Sequence, residues 1–419
     1  MSKVKDIKAR EILDSRGTPT LEVEVFLESG ASGKAAIPSG ASTGKNEAYE
    51  LRDADKKRFF GNGVSKAVKN IKGEIFDCLS GFDFDKQSLV DQKLISLDGT
   101  ENKKRLGANS ILGVSLAVAR ACADESGSEL FQYLASAVIP PLMKTTANRL
   151  PVPMMNIING GRHANNPIEI QEFMILPISA KTVTEAIRMG AEVFFSLKNV
   201  LSNKDLSIAV GDEGGFAPAL QTTEDALNCM SLAVEKTAYE VGSDIVFALD
   251  AAANEFYSNK KYVLDSERSK LTSDELIKFY DRLVSKFPIF SIEDGMAEED
   301  LDGWVSMTAE LGGKVQLVGD DVFVTNQKYL ERGIQKNIAN AILIKVNQVG
   351  TLTETLNTIK IAKESNYATV MSHRSGETED SFIADLSVAA GCSQIKAGSL
   401  SRSERVAKYN RLMLSLIHI

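Results

Sequence analysis

A chain of 419 residues, 43% hydrophobic and 25% charged, is too long for one ordinary domain and suits two with a well-filled core. The net charge of −8, with acids and bases interspersed, argues against a partner held by phosphate neutralisation, such as nucleic acid. An anionic small molecule stays compatible with it, because a few cations or a metal can reverse the field inside a cleft.

Apolar stretches such as Ile111 to Ala119 fall short of a membrane span. The opening Met-Ser-Lys-Val-Lys-Asp carries Asp6 where a secretory leader needs an apolar core. Cys78, Cys122, Cys229 and Cys392 lie far apart with no CxxC pair, which predicts buried free thiols in a reducing, cytoplasmic compartment. Only His163, His373 and His418 are available to any histidine-rich metal site or Ser-His-Asp triad.

The first forty residues predict a three-stranded meander. Leu21, Val23, Val25 and Leu27 alternate with Glu22, Glu24 and Phe26/Glu28 in a mostly period-two pattern, and Gly17-Thr18-Pro19 and Glu28-Ser29-Gly30 supply turns. A glycine-rich loop follows, Pro38-Ser39-Gly40-Ala41-Ser42-Thr43-Gly44, and then helical periodicity, clearest from Gly107 to Ala123. The small residues Gly107, Ala108 and Gly113 predict close helix packing. Residues 1–140 therefore read as an α+β unit, and the stretch from Ala137 to Leu150, with Pro140-Pro141, reads as the boundary to a second unit over 150–419.

In the second unit short apolar runs alternate with amphipathic helices, and each run ends in charge. Ile208-Ala209-Val210 leads to Gly211-Asp212-Glu213, Ile245–Leu249 to Asp250, and Ile289–Ile292 to Glu293-Asp294. Val315–Val318 leads to Asp320-Asp321, Ala341–Ile344 to Lys345, Ala368–Ser372 to His373-Arg374, and Gln394-Ile395 to Lys396. Strands alternating with helices predict a parallel sheet closed into a (β/α) barrel, and the charged ends would then converge at its mouth.

Asp250, Glu293 and Asp320 are hard oxygen donors that suit Mg²⁺ or Mn²⁺ better than Zn²⁺; pairing of one or two with lysines is the alternative. For Lys345 three readings stand on position alone: a base whose pKa is lowered by burial near cations and a divalent metal, a Schiff-base lysine, or a bridge between carboxylates. Glu213, flanked by glycines, reads either as an acid opposite the lysine or as part of a plain turn. His373-Arg374-Ser375-Gly376 offers a phosphate cradle, with Lys396 as a second cation. The loop holding Ser42 lacks the spacing of a nucleotide P-loop and reads instead as a lid.

These segments resemble the enolase family over more than nine-tenths of the chain. The match runs through Asp14 to Thr20, Pro38 to Gly44, Gly107 to Leu112, Asn159-Gly160-Gly161 with His163-Ala164, Gln171-Glu172-Phe173 and Gly211 to Pro218. It continues through Leu249-Asp250, Ser291 to Asp294, Gly319 to Asp321, Leu343 to Gly350 (LIKVNQVG), Ser372 to Thr378 (SHRSGET) and Arg402 to Arg405. The resemblance implies a small α+β cap on an eight-stranded barrel whose first turns depart from simple βα order. It implies a Mg²⁺-dependent lyase that dehydrates 2-phosphoglycerate to phosphoenolpyruvate in glycolysis and gluconeogenesis. Lys345 would be the base and Glu213 the acid, with Asp250, Glu293 and Asp320 holding one Mg²⁺. A second Mg²⁺ would arrive with substrate and use Ser42. Arg374 and Ser375 would bind phosphate, Lys396 would face the carboxylate, and His163, Gln171, Glu172 and His373 would line the pocket. A homodimer or octamer is implied, with a secondary cell-surface or secreted pool known for such proteins.

Two departures stand out. Arg162 precedes His163 where a small or acidic residue is common, which predicts extra positive charge near the pocket. Leu412 to Ile419 is apolar where the family usually ends in a polar, acidic helix. A sister enzyme, racemase or cycloisomerase, is disfavoured by SHRSGET with Lys396, groups that serve a phosphate.

Overall fold

The computed structural model describes residues 2–40, 44–139 and 150–415. Ser42, the 140–149 part of the expected boundary and the tail from 416 onward lie outside the described residues. Strands β1 (Ser2–Leu13), β2 (Pro19–Leu27) and β3 (Ser32–Ala36) form the expected meander. A fourth strand, β4 (Asp83–Phe84), pairs with the start of β1, so the sheet order is β3-β2-β1-β4 rather than three-stranded. Two residues are too few to show a period, which is why alternation did not reveal β4.

Leu21, Val23, Val25 and Leu27 are fully buried beneath the helix Ala108–Glu125. That helix lies close: a Cβ on Gly113 would sit 2.5 Å from Val23 Cγ2, and one on Gly33 would sit 2.2 Å from the Ala121 nitrogen. Glycine is needed where backbone meets helix at this distance.

The second unit is a closed eight-stranded barrel in the order β11-β12-β13-β14-β15-β5-β6-β7. Its strands are β5 (Val152–Asn159), β6 (Glu172–Pro177), β7 (Ile245–Asp250), β11 (Ile289–Glu293), β12 (Gln316–Gly319), β13 (Ala341–Ile344), β14 (Ala368–Ser372) and β15 (Gln394–Lys396). A small antiparallel sheet, β8 (Tyr257–Ser258), β9 (Lys261–Leu264) and β10 (Ser269–Leu271), rides on the connection after β7. Met154, Met174, Val246, Val318, Leu343 and Val370 fill the barrel's interior as a core of their own.

Six of the seven apolar runs are barrel strands. The seventh, Ile208 to Val210, is not: it lies in the connection between helices Val183–Ser202 and Thr223–Glu235, with Ile208 and Val210 both exposed. The two strands missing from that list are β5 and β6. Strand β6 runs antiparallel to both neighbours, so its first residue, not its last, lies at the mouth.

The two units are locked by buried polar contacts. Asp91, in the helix Gln87–Asp98, accepts hydrogen bonds from the nitrogen and hydroxyl of Thr353 at 2.9 and 2.5 Å, at the start of the barrel helix Leu352–Glu364. Asp380 takes both terminal nitrogens of Arg120 at 2.6 and 2.7 Å and the backbone nitrogens of Ala36 and Phe382. Burial alone would raise the Asp380 pKa, but Arg120 and these N–H donors bring it below the ordinary 3.8. A carboxylate depressed in the folded state contributes stability that is complete above its unfolded pKa and is lost as pH falls through its folded value. Asp380→Asn should thus cost about 2 kcal/mol at pH 7, as loss of a charge-assisted hydrogen-bonded pair that is partly buried does. The deficit should shrink below pH 4. Urea midpoints at pH 7 and pH 3 test this, and an equal deficit at both would contradict it.

Candidate active site

Charged side chains reach the barrel mouth from six parallel strands and one antiparallel one. Asp250, Glu293, Ser372 and Lys396 end β7, β11, β14 and β15, and Asp320 and Lys345 immediately follow β12 and β13. Glu172 opens β6 and sits in register with Asp250 on one side and Asn159 on the other. All are buried or nearly so. Together with His163, Gln171, Glu213, Asp294, Asp321, His373, Arg374 and Ser375 they surround one cleft, Glu293 lying behind Lys396. Every sequence-derived site residue except Ser42 is therefore placed in or beside this cleft.

Glu213 arrives differently from the others. Its loop is tied to the barrel by Phe216, whose nitrogen donates to the Ile157 carbonyl at 2.9 Å and whose carbonyl accepts from Asn159 at 2.8 Å. Gly214 has φ +87° and leaves no room for a Cβ, which would lie 2.5 Å from the Ser401 carbonyl. The Glu213 carboxylate accepts from Asn156 Nδ2 at 3.1 Å and lies 3.6 Å from His163 Nδ1 and 3.5 Å from His373 Nε2. Burial opposes its charge, yet the two imidazoles and Arg405 hold its pKa well below the usual carboxylate range. Glu172, whose Oε1 is 3.7 Å from the same His163 nitrogen, is driven the other way, by burial and then by the charge of Glu213. The two neighbouring carboxyls are thus held in opposite directions. Burial brings His373 down to about 4, so at neutral pH it is an uncharged imidazole against Arg405 Nη1 at 2.6 Å.

Lys396 is wholly buried among carboxylates: Asp250 Oδ2 at 2.8 Å, Glu293 Oε1 at 2.9 Å and Glu172 Oε1 at 3.2 Å. Lys345 pairs with Asp320 Oδ2, and its backbone nitrogen donates to Thr325 Oγ1 at 2.8 Å. A lowered Lys345 pKa was expected. Burial does pull in that direction, but the Asp320 charge outweighs it and the net shift is upward.

The donor set fits a hard divalent cation. Asp250 and Asp320 lie close enough to raise the Glu293 pKa beyond what burial does, and Glu293 Oε2 is buried without a hydrogen-bond partner. Asp294, Asp320 and Asp321 also bring carboxylate oxygens within 4.8 Å of one another. Anions gathered in this way are compatible with a divalent metal site. Lys396 contacts Asp250 and Glu293, and Lys345 contacts Asp320.

Several supporting residues were not singled out by sequence. Asp294, at φ 41°, accepts the backbone N–H of Asp320 at 2.8 Å and of Asp321 at 3.0 Å and so fixes the turn carrying the acidic pair. Arg405, fully buried, donates to the carbonyls of Arg374 and Ser375, both at 2.6 Å, and Lys408 holds Glu377 at 2.9 Å, bracing the SHRSGET loop. Arg162 was expected to add charge to the pocket, but it pairs with Glu255 at 2.5 Å instead.

The model of the family described as "Enolase, N-terminal domain" matches residues 4–134, and that described as "Enolase, C-terminal TIM barrel domain" matches residues 147–416. The chain belongs to the enolase family. It is thus an enolase-superfamily enzyme, with the family's barrel preceded by its smaller N-terminal domain. No helix among the described residues is long and apolar enough to cross a membrane.

Proposed function

We propose that this enolase-family chain catalyses the reversible, Mg²⁺-dependent dehydration of 2-phospho-D-glycerate to phosphoenolpyruvate, the hydro-lyase step of glycolysis and gluconeogenesis. The observation that carries the reading is the meeting, in one buried cleft, of an amine (Lys345), a carboxyl pair (Glu172 and Glu213) and a braced guanidinium-hydroxyl pair (Arg374 and Ser375). A proton donor, a proton acceptor and a phosphate cradle are what this elimination needs.

In the forward direction Lys345 Nζ takes the proton from carbon 2, and the electron pair of that C–H bond moves into the adjacent carboxylate. That carboxylate then carries a second negative charge, which Lys396 faces. The C3–O bond breaks next, the electron pair re-forms as the C2–C3 double bond, and the oxygen leaves as water after receiving a proton from the Glu213/Glu172 pair. Glu213 presents its carboxyl to the hydroxyl, and Glu172 lies beside it as the second buried carboxyl of the pair. Asp250, Glu293 and Asp320 would hold one Mg²⁺ and Ser42 would serve a second, and such ions supply positive charge where the electron pair collects. Asp320 cannot hold a cation and neutralise Lys345 at full strength together, so metal binding and the readiness of the base are coupled through one carboxylate.

We also propose a cytoplasmic homo-oligomer, dimer or octamer, as the working form. With 2-phosphoglycerate and Mg²⁺, the ultraviolet absorbance of phosphoenolpyruvate should rise, stop on addition of EDTA and resume with excess Mg²⁺. Absence of turnover with Mg²⁺, or turnover that survives the chelator, would defeat the proposal.

A further inference from the structure

Resting on the reading of Arg374 as the phosphate-binding guanidinium, we infer that Glu47 is an internal anion held on that arginine, which an incoming phosphate must displace. Glu47 thereby makes the subsite select doubly charged phosphate over singly charged groups.

Glu47 belongs to the segment just after the glycine-rich loop, and sequence reading gave it no role. Its carboxylate meets Arg374 through two contacts, Nη1 to Oε2 at 2.9 Å and Nη2 to Oε1 at 3.2 Å, the fork geometry with which a guanidinium grips a carboxylate or phosphate. Both side chains are buried, at 7% and 3% exposure, so the pair is little screened by solvent. Oε1 also accepts from Gly44 N at 3.1 Å and Gln348 Nε2 at 3.3 Å. The same Gln348 nitrogen reaches Asp320 Oδ1 at 2.9 Å. A carboxylate thus stands where the substrate's phosphate would be received, and it is wired to the carboxylate that pairs with Lys345.

Space tells the same story. The cleft retains only about 30 Å³, room for a water or two and not for a three-carbon phosphate. A separate cleft of about 520 Å³ borders Glu47 and Gln348 on another side, with Lys45, Lys103, Lys104 and Lys328 and also Glu101 and Glu354 in its lining. A displaced Glu47 carboxylate has a polar space of mixed charge to enter. The displacement asked of Glu47 is one of its side chain, since Lys45 is held by Glu298 and Glu299. Residues 44–47 form a turn closed by Glu47 N to Gly44 O at 3.2 Å, whereas from Ala48 onward the backbone is pinned, Ala48 N to Gln348 O and Tyr49 N to Asn102 O, both at 2.8 Å.

Selectivity follows from charge. A carboxylate ligand replacing Glu47 exchanges one single anion for another and gains no Coulomb energy. A phosphate dianion brings more charge and a third oxygen to Arg374 and Ser375, and it releases Gln348 to Asp320.

The test is calorimetric titration of the full chain at fixed Mg²⁺ with inorganic phosphate, and with acetate as the single-charge control. Glu47→Gln should bind phosphate roughly tenfold more tightly than wild type, since a charge-assisted pair no longer has to be broken. It should also bind acetate measurably, so the preference for phosphate narrows. Glu47→Asp, one methylene shorter, should fall between the two and guards against misfolding of the first variant. Unchanged or weaker phosphate binding in both variants would overturn the inference and leave Glu47 as a mere brace for Arg374. Arg374→Gln separates the two levels. If it binds phosphate as wild type does, the phosphate subsite itself fails and the inference with it. If it loses phosphate while the Glu47 variants gain nothing, only the displacement by phosphate fails.

Discussion

Lys345→Ala should lower turnover of 2-phosphoglycerate by about 10⁴-fold, the upper end of what a positioned base contributes. It should also abolish exchange of the carbon 2 proton with solvent deuterium. Among the described residues no second amine is placed to replace it: Lys396, the other buried lysine of the cleft, is engaged by Asp250, Glu293 and Glu172 at 2.8 to 3.2 Å. The variant should fold, because Asp320 keeps its bond from Gln348 at 2.9 Å and its backbone anchor to Asp294. Glu213→Gln should behave differently, retaining most of the exchange while losing dehydration, since its part begins when the 3-hydroxyl leaves. Deuterium incorporation followed by NMR, beside the absorbance assay, separates the two. Equal loss of both signals in both variants would refute the division of labour.

Most of the barrel was legible because its signal is local. An apolar run such as Ala341–Ile344 is buried on both faces, and the residue after it must return to water or to a site, so Lys345 announces both the strand's end and the mouth. The same reasoning misled at Ile208 to Val210, where an apolar run is exposed on a loop and Glu213 reaches the cleft because Phe216 pins that loop to β5. It also passed over β6, since an antiparallel strand puts its charge before the run: Glu172 precedes Phe173 to Leu176. Asp294, Arg405 and Glu47 act through contacts separated by 26 to 327 residues along the chain. No spacing rule reports such pairings. A signal for Asp294 did exist, an acid directly after Glu293 that cannot share its orientation on an extended chain and so needs a partner of its own. The upward direction of the Lys345 shift beside Asp320 was not legible for a related reason. Burial and cations were visible in the sequence, but the placement of Asp320 against the amine is a tertiary fact, and that single charge decides the direction.

Asp320→Asn should weaken Mg²⁺ binding by about 100-fold or more, and Asp294→Asn by about 10- to 100-fold, the range found when a group orienting a metal ligand is removed. Asp320 loses the charge a hard cation prefers. Asp294 is not in the proposed ligand set of Asp250, Glu293 and Asp320, yet its two oxygens receive the backbone N–H groups of Asp320 and Asp321, and an amide would turn an NH₂ toward one of those donors. Lys345→Ala supplies the opposing arm. Its ammonium competes with any cation for Asp320, so its removal should leave Mg²⁺ affinity intact or raise it while turnover disappears. Calorimetric titration of the three variants against wild type tests this pattern. Mg²⁺ affinity that is unchanged in Asp320→Asn would strike that residue from the ligand set, and a loss of affinity in Lys345→Ala would mean that the lysine organises the carboxylates rather than competing for one of them.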